Sequence, residues 1–286
     1  MSRIVLILGA SGRMGRNAAQ AFAAAGWQVR THDRAKGDLM TDATGAEIIV
    51  NAWNPAYTDW QAQLPALHAR VQEVARATGA TVILPGNVYV FGPSAPPPWS
   101  ADTPHRATNP LGLARIAMED SYRRSGVRTI LLRAGDFLDT EASGNWFDRV
   151  LAAKLHQGRF TWPGDPDAPH AWAYLPDLAR AMVALAERAD TLPAWADIPF
   201  PGYTLSGREI ADHLARITGR SVTLRRFPWW SLSLARPFWP MAKHLLEMRY
   251  LWSTPHWLDP EPFRSLCPDC PDTPIDEALT RAIQPL

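Results

Sequence analysis

The sequence has few cysteines, no excess of either charge and no long apolar run, and each of these shortages excludes a class of protein. Its 286 residues include two cysteines, Cys267 and Cys270, which are too few for a disulfide framework. Lysine and arginine number 29 against 28 acidic residues, which argues against a nucleic-acid partner. No apolar run approaches the roughly 18 residues of a membrane-spanning helix, and no signal peptide is recognisable. We therefore expect a cytoplasmic protein, for which membrane contact is not the favoured interpretation.

Short apolar runs alternate with helical patterns in the first half of the chain. Residues 4–8 form a continuous apolar run, which is typical of a strand buried on both faces of a parallel sheet. Met14, Ala18 and Phe22 then recur at helical spacing. Further strands are predicted at 28–32, 47–52, 81–84 and 128–133, with helices at 60–78 and 112–125. This alternation predicts an α/β protein with a doubly wound parallel sheet.

A glycine-rich segment, Gly9-Ala10-Ser11-Gly12-Arg13-Met14-Gly15, lies between the first predicted strand and the first predicted helix. Its glycines allow a tight turn and let backbone amides approach a pyrophosphate at the positive end of the helix. Its position makes the pattern more specific than the spacing alone, although a turn without a ligand is the alternative. The residues expected to bind a dinucleotide cofactor are Gly9, Ser11, Gly12, Arg13, Met14 and Gly15.

The Gly-x-x-Gly-x-x-Gly spacing resembles that of the extended and atypical short-chain dehydrogenases/reductases, a superfamily of NAD(P)-dependent epimerases, dehydratases and reductases. Asp38-Leu39 is similar to the acid-aliphatic pair that meets the adenine there, and Asn51-Ala52-Trp53 is similar to the Asn-Ala-Ala at a strand end. Val90-Phe91-Gly92 resembles the Val-Tyr-Gly that follows the fourth strand. The resemblance implies a Rossmann-like fold and adds further residues to the cofactor site, namely Asp38, Leu39, Asn51, Ala52 and Trp53.

The alternation of strands and helices breaks beyond Asp136, and this change divides the chain into two regions. Residues 1–136 and 170–190 are predicted to form the dinucleotide-binding domain, and residues 137–169 and 191–286 a smaller, discontinuous region that binds the substrate. Within the second region, residues 222–252 hold four tryptophans and five basic residues beside one acid. We favour a lid over the substrate pocket for this segment, with a dimer contact or a membrane-surface helix as alternatives. An aromatic lid suggests a small-molecule substrate with apolar or aromatic parts.

Two signals disagree about the nicotinamide cofactor. Asp33 lies at the end of the second predicted strand, where an acid binds the ribose hydroxyls of NAD and repels a 2′-phosphate. Arg34 and Lys36 adjoin it, and Arg13 is expected across the same pocket, where guanidinium groups suit a phosphate. Three converging bases give a slight preference for NADP over NAD.

The catalytic positions depart from the family. The resemblance implies a Tyr as general acid/base, a Lys four residues later and a Ser or Thr after the fourth strand. Those positions hold Leu111, Arg115 and Asn87. Leucine cannot transfer a proton, so the family's usual acid/base step is excluded. Arg115 and Asn87 are left to form hydrogen bonds.

Tyr89 is a substitute proton donor. On extended backbone, Asn87 and Tyr89 would point to the same side, with Arg115 beside the phenol, and these three are the candidate catalytic residues. A tyrosine that only packs beside the cofactor is the alternative. Residues 54–57 follow the third strand and reach the same edge, while His170 and Asp136 are further candidates for substrate contact.

The functional prediction is an NAD(P)-dependent oxidoreductase or epimerase-type enzyme that acts on a small molecule. A non-catalytic NAD(P)-binding redox sensor is the alternative, because the Tyr and Lys are missing. No metal site is expected, and a homodimer through the helices at 60–78 and 112–125 is a further prediction.

Overall fold

The computed structural model describes residues 3–35 and 37–286. Its strands are β1 (Ile4–Leu8), β2 (Gln28–His32), β3 (Ile48–Asn51), β4 (Thr81–Gly86), β5 (Thr129–Arg133), β6 (Asp136–Leu138), β7 (Arg159–Trp162), β8 (Ala171–Tyr174), β9 (Trp195–Pro199), β10 (Tyr203–Thr204) and β11 (Thr223–Arg226). Its α-helices are α1 (Arg13–Ala24), α2 (Leu39–Ala43), α3 (Trp60–Thr78), α4 (Pro110–Ser125), α5 (Leu175–Glu187), α6 (Gly207–Thr218), α7 (Trp229–Ala235), α8 (Pro240–Glu247), α9 (Glu261–Leu266) and α10 (Ile275–Ile283).

A six-stranded parallel sheet with the order β2-β1-β3-β4-β5-β9 forms the centre of the molecule. Helices α1 and α5 pack on one face, and α2, α3 and α4 pack on the other. Strands β3 and β5 are buried along their whole length, as their continuous apolar runs predict. The predicted Rossmann-like α/β fold is confirmed. Because the strand order reverses beside β1, the crevice at the carboxyl ends of the strands is the expected ligand site.

The last strand of this sheet was not predicted. The strand expected at 170–175 is present as β8, but it joins a separate three-stranded sheet with the order β10-β8-β6. The sixth central strand is β9, which lies inside the range 191–286 that the sequence assigns to the substrate region. Asp197 and Pro199 interrupt its apolar pattern, and Asp197 is there because it pairs with Arg133 of β5. The division into two regions stays a prediction.

A second core lies beyond the central sheet. The two-stranded parallel sheet of β7 and β11 packs with α6 and α10, and tryptophans fill much of the space between them. Helix α6 begins at a capping box, in which the side chains of Ser206 and Glu209 accept hydrogen bonds from each other's backbone amides. Over residues 3–35 and 37–286, no helix has both the length and the apolar character of a membrane span.

Candidate active site

The glycine-rich turn joins the carboxyl end of β1 to the start of α1. Gly9 has a φ of +77°, a left-handed conformation that glycine adopts without strain. A Cβ on Gly15 would lie 2.2 Å from the carbonyl oxygen of Gly9, so glycine is required for the helix to come this close. Ser11 and Gly12 are exposed at the helix N-terminus, where no described side chain caps the amides. The amide of Gly12 closes the turn by donating to the carbonyl oxygen of Gly9 at 2.9 Å. The shape of the turn and the uncapped N-terminus of α1 suit a pyrophosphate.

A pocket of about 520 Å³ continues from this turn. Trp53 connects the two, because it lines the pocket and its Cδ1 would lie 3.2 Å from a Cβ on Gly9. Four of the predicted cofactor residues line the pocket, namely Arg34, Asp38, Leu39 and Trp53. The Arg34 guanidinium lies 5.7 Å from the centroid of the Trp53 ring. An apolar wall with an aromatic ring suits a flat base, so turn and pocket together fit an adenine dinucleotide.

Three other predicted cofactor residues do not present a polar side chain to the turn or the pocket. The Asn51 amide is buried, where its Nδ2 lies 3.1 Å from Nδ1 of His68 and 3.2 Å from the Tyr122 hydroxyl. Met14 packs into the core between α1 and the sheet. The carbonyl oxygen of Ala52 would lie 2.9 Å from a Cβ on Gly9, so Ala52 bounds the turn with its backbone. These three residues therefore support the turn through packing and backbone contacts.

Among the described residues, the predicted convergence of bases is reduced, because Arg13 and Arg34 do not line the same pocket. The Arg13 guanidinium donates to the carbonyl oxygen of Ser143 at 2.8 Å and does not line the pocket that Arg34 lines. Lys36 lies outside the described residues. Asp33 is exposed, and its Oδ1 accepts the amide of Ala35 at 2.9 Å. Of the two bases that the structure describes, Arg34 lines the pocket and Arg13 does not.

Tyr57 and Tyr89 bring their hydroxyl oxygens to 2.6 Å beyond the carboxyl ends of β3 and β4. The expectation of extended backbone at this point is wrong, because Val88 has φ −92° and ψ 3° and residues 89–91 form a 3₁₀ turn. Oδ1 of Asn87 accepts the backbone amide of Tyr89 at 3.1 Å, a local hydrogen bond that asparagine commonly makes in turns. The turn therefore uses Asn87 as a support, and the phenol projects towards Tyr57.

The two phenols share an apolar cluster with Leu111, which occupies the position of the family's tyrosine. Burial raises the pKa of Tyr57, and burial raises the pKa of Tyr89 more strongly. The negative charge of Asp136 raises the pKa of both further, while the charge of Arg115 opposes this rise. Both hydroxyls therefore keep their protons at neutral pH.

Arg115, at the position of the family's lysine, is buried beneath the tyrosines. Its NH2 group donates to the carbonyl oxygen of Pro85 at 2.6 Å, and its guanidinium lies 5.6 Å from the centroid of the Trp60 ring. These contacts fasten the end of β4 to α4. Arg115 acts on the site through its charge.

Asp136 and His170 form a second polar pair near the tyrosines, with Oδ2 and Nε2 2.7 Å apart. The His170 ring stacks on Trp252 at a centroid distance of 4.6 Å and lies 4.4 Å from the ring of His256. The sequence indicated Asp136 and His170, but no local pattern pointed to Trp252 or His256. They reach the site from the C-terminal region, and only the fold brings them there.

The two ends of the segment at residues 222–252 differ in their surroundings: residues near its C-terminal end contact the site, and part of α7 faces the solvent. Oε1 of Glu247 accepts the amide of Leu111 at 2.7 Å, and Met248 and Leu251 pack in the cluster that contains Tyr57 and Tyr89. This end lies against the site, as a lid would. In α7, Trp230 and Leu234 are exposed, whereas Trp229 and Leu232 are buried.

A buried ionic cluster supports the turn after β4. The Arg133 guanidinium donates to Glu119 at 2.9 Å, to Asp197 at 2.7 Å and to the carbonyl oxygen of Asn87 at 2.6 Å. Ligand atoms of His105, Glu119 and Asp197 lie within 4.8 Å of one another, as metal ligands do. Arg133 already supplies the positive charge at this place, so the cluster does not point to a metal ion.

A doubly wound parallel sheet with a glycine-rich turn and an adjoining pocket at its carboxyl edge has the fold of the extended short-chain dehydrogenases/reductases, and the predicted resemblance is confirmed. Residues 2–198 match the family described as RmlD substrate binding domain, and the chain belongs to this family.

Solved structures resemble the chain over nearly its whole length. MoeE5, described in complex with UDP-glucose and NAD, is 17% identical with a TM-score of 0.75, and the match covers 98% of this chain and 97% of that one. A putative epimerase from Burkholderia cenocepacia is 18% identical with a TM-score of 0.74 over 99% and 97%. The UDP-glucuronic acid 4-epimerase from Bacillus cereus, in complex with UDP-glucuronic acid and NAD, is 15% identical with a TM-score of 0.74 over 99% and 98%. At these identities the likeness shows a shared fold. A comparison with curated proteins found no match.

Proposed function

We propose that this protein is an NAD(P)-dependent enzyme of the oxidoreductase or epimerase type that acts on a small molecule. The observation that carries the proposal is that the glycine turn adjoins the pocket of about 520 Å³, because Trp53 lines the pocket and lies against Gly9. The amide of Ser11 and the amides in the first turn of α1 would hold the pyrophosphate, and Leu39 and Trp53 would lie against the adenine. When bound, a nicotinamide cofactor supplies or accepts a hydride.

The Tyr57/Tyr89 hydroxyl pair would replace the missing family tyrosine. The two hydroxyls carry two hydrogens, and their mutual bond uses one of them. The other hydrogen is available to a substrate oxygen. Because burial and Asp136 raise the pKa of both phenols, the pair stays protonated at neutral pH, so it can donate to a substrate oxygen but cannot act there as a base.

We further propose that the substrate carries an apolar or aromatic part next to an oxygen that receives this proton. Trp60, Leu111 and Met248 are buried in the cluster on which the two phenols pack, so the surroundings of the phenols are apolar. Two of the structural neighbours are described with uridine diphosphate sugars, so such compounds belong in the first substrate screen.

The proposed cofactor is NAD rather than NADP, which reverses the preference drawn from the sequence. Arg13 is bonded to Ser143, and the exposed carboxylate of Asp33 beside Arg34 opposes a 2′-phosphate. The structural neighbours described with a cofactor are described with NAD.

A fluorescence titration with NADH and NADPH tests the proposal. We expect saturable binding of both with NADH the tighter, and we expect Trp53→Ala to weaken NADH binding about tenfold through lost ring contact. Trp230→Ala, on the exposed surface of α7, is the matched control and leaves the affinity unchanged. Absence of binding by every adenine dinucleotide would refute the proposal. Binding with no turnover of carbonyl compounds or nucleotide sugars would favour the sensor.

A further inference from the structure

Four large apolar side chains lie in the solvent within ten residues of one another. The exposed fractions are 68% for Trp230, 69% for Leu234, 90% for Phe238 and 46% for Trp239. We call these four residues the 230–239 patch. They account for most of the large apolar side chains that are exposed among the described residues. Exposed clusters of this kind mark interaction sites more often than single exposed residues do.

The fold holds the patch in place. Trp229 and Leu232 anchor one side of α7 in the second core, which turns Trp230 and Leu234, one helical turn apart, towards the solvent. The amides of Phe238 and Trp239 both donate to the carbonyl oxygen of Ala235, at 2.9 and 2.8 Å. Helix α8 then continues the chain back to the site. The four side chains are therefore presented by ordered backbone.

Exposed basic residues are concentrated in the segment that carries the patch. Five exposed basic residues lie between residues 222 and 252, namely Arg225, Arg226, Arg236, Lys243 and Arg249. The single acid of this segment, Glu247, is half-buried and accepts hydrogen bonds from the amide of Leu111 and from Asn109. The chain as a whole has a net charge of +1, so this basic excess is a local property.

The charge decides between the possible occupants. A second copy of the chain, docked about a two-fold axis, would place the same patch opposite itself and bring five bases towards five bases. An anionic lipid surface meets both properties at once, because aromatic rings enter the interface while Arg and Lys side chains reach the headgroups. We propose that the 230–239 patch docks this protein on a membrane surface that carries anionic lipid.

Co-sedimentation with lipid vesicles tests this inference. The full chain is mixed with phosphatidylcholine vesicles or with vesicles that also contain about one third phosphatidylglycerol, at low and high salt. We expect it to sediment with the anionic vesicles alone and to be released at high salt, where charge attraction is screened. The double variant Arg236→Gln/Lys243→Gln is expected to bind about 25-fold more weakly, because each base near an anionic surface strengthens binding about fivefold.

A second variant tests the apolar contribution. Trp230→Ser/Phe238→Ser is expected to lower vesicle binding by about tenfold or more. Leu113→Ser is the matched control, since Leu113 is 51% exposed on α4, outside the patch, and its replacement leaves binding unchanged. Unchanged NADH affinity of Trp230→Ser/Phe238→Ser would show that this variant is folded. The same measurement separates a failure of this inference from a failure of the proposed function. Failure to sediment with anionic vesicles at low salt, or a dimer that the double variant dissociates, would overturn the inference.

Discussion

The bond between the hydroxyls of Tyr57 and Tyr89 concentrates the chemistry of the site in two residues that lie 32 positions apart. The sequence offered Tyr89 as a donor, but for the wrong reason, since the extended backbone that the argument needed is a turn. For Tyr57, the sequence predicted the correct edge of the sheet but no contact with Tyr89. The distance between the two oxygens depends on how β3 and β4 end, which no local pattern contains.

Replacing either phenol tests this pair. Tyr89→Phe is expected to lower kcat by about 10²- to 10⁴-fold with unchanged affinity for NADH, because it removes a proton donor and leaves the ring in place. Tyr57→Phe is expected to lower kcat less if Tyr89 is the direct donor. Tyr250→Phe is the control, since Tyr250 packs on the same cluster and its hydroxyl has no described partner. An equal loss in Tyr250→Phe would contradict the assignment.

The pH dependence of kcat follows from the direction of the pKa shifts. Burial and Asp136 raise the pKa of Tyr89 above its ordinary value of 10.0, and the group acts in its protonated form. The rate therefore persists from neutral pH up to pH 10 and falls only as the pH rises through the shifted pKa. Asp136→Asn removes a charge that disfavours the phenolate, so it moves this alkaline limb to lower pH. A pH profile of the variant that is unchanged, or moved upward, would argue against a role for Tyr89 as the acid.

At the scale of elements, Arg133 holds four segments together. It lies on β5, and it bonds Glu119 of α4, Asp197 of β9 and the backbone of Asn87 after β4. Arg133 and Glu119 are fully buried. The alternation of apolar runs and helices predicted β1 to β5 and the helices around them. It could not predict β9, because Asp197 interrupts the apolar pattern of that strand. The reason for this acid is its ion pair with Arg133 on β5.

Removing the cation of this cluster tests its structural role. Arg133→Met leaves two buried carboxylates without their counter-charge and is expected to lower the free energy of unfolding by about 3–5 kcal/mol. Urea denaturation followed by circular dichroism measures the loss. Arg208→Met is the control, because the pair of Arg208 with Asp167 is exposed and its removal leaves the curve nearly unchanged. Comparable curves for the two variants would mean that the cluster is dispensable for stability.

At the scale of the whole molecule, the two predicted regions exchange strands. Strand β9 from the range 191–286 completes the central sheet, while β8 from the range 170–190 pairs with β10 and β6 outside it. Composition and periodicity gave a boundary near Asp136, where the rhythm of the sequence changes. They could not show which sheet each later strand joins, because strand pairing is a long-range property.

This exchange of strands predicts one cooperative unfolding transition for the full chain. Neither region can unfold without breaking hydrogen bonds in the sheet of the other, so calorimetry is expected to give a single peak. Loss of far-ultraviolet circular dichroism and the change in tryptophan fluorescence are expected to coincide along a denaturant series. Two separated transitions would indicate that the regions are independent in spite of the shared strands.

The late position of β9 in the chain also has a consequence for synthesis on the ribosome. Until Trp195–Pro199 has left the exit tunnel, β5 is the border of a nascent sheet, with unpaired amides and carbonyls along an apolar strand. Until Asp197 has also left the tunnel, Arg133 lacks one of the two carboxylates that it pairs with in the folded protein. Truncated products that end before this strand are therefore expected to aggregate, and the nascent chain is a natural client for chaperones.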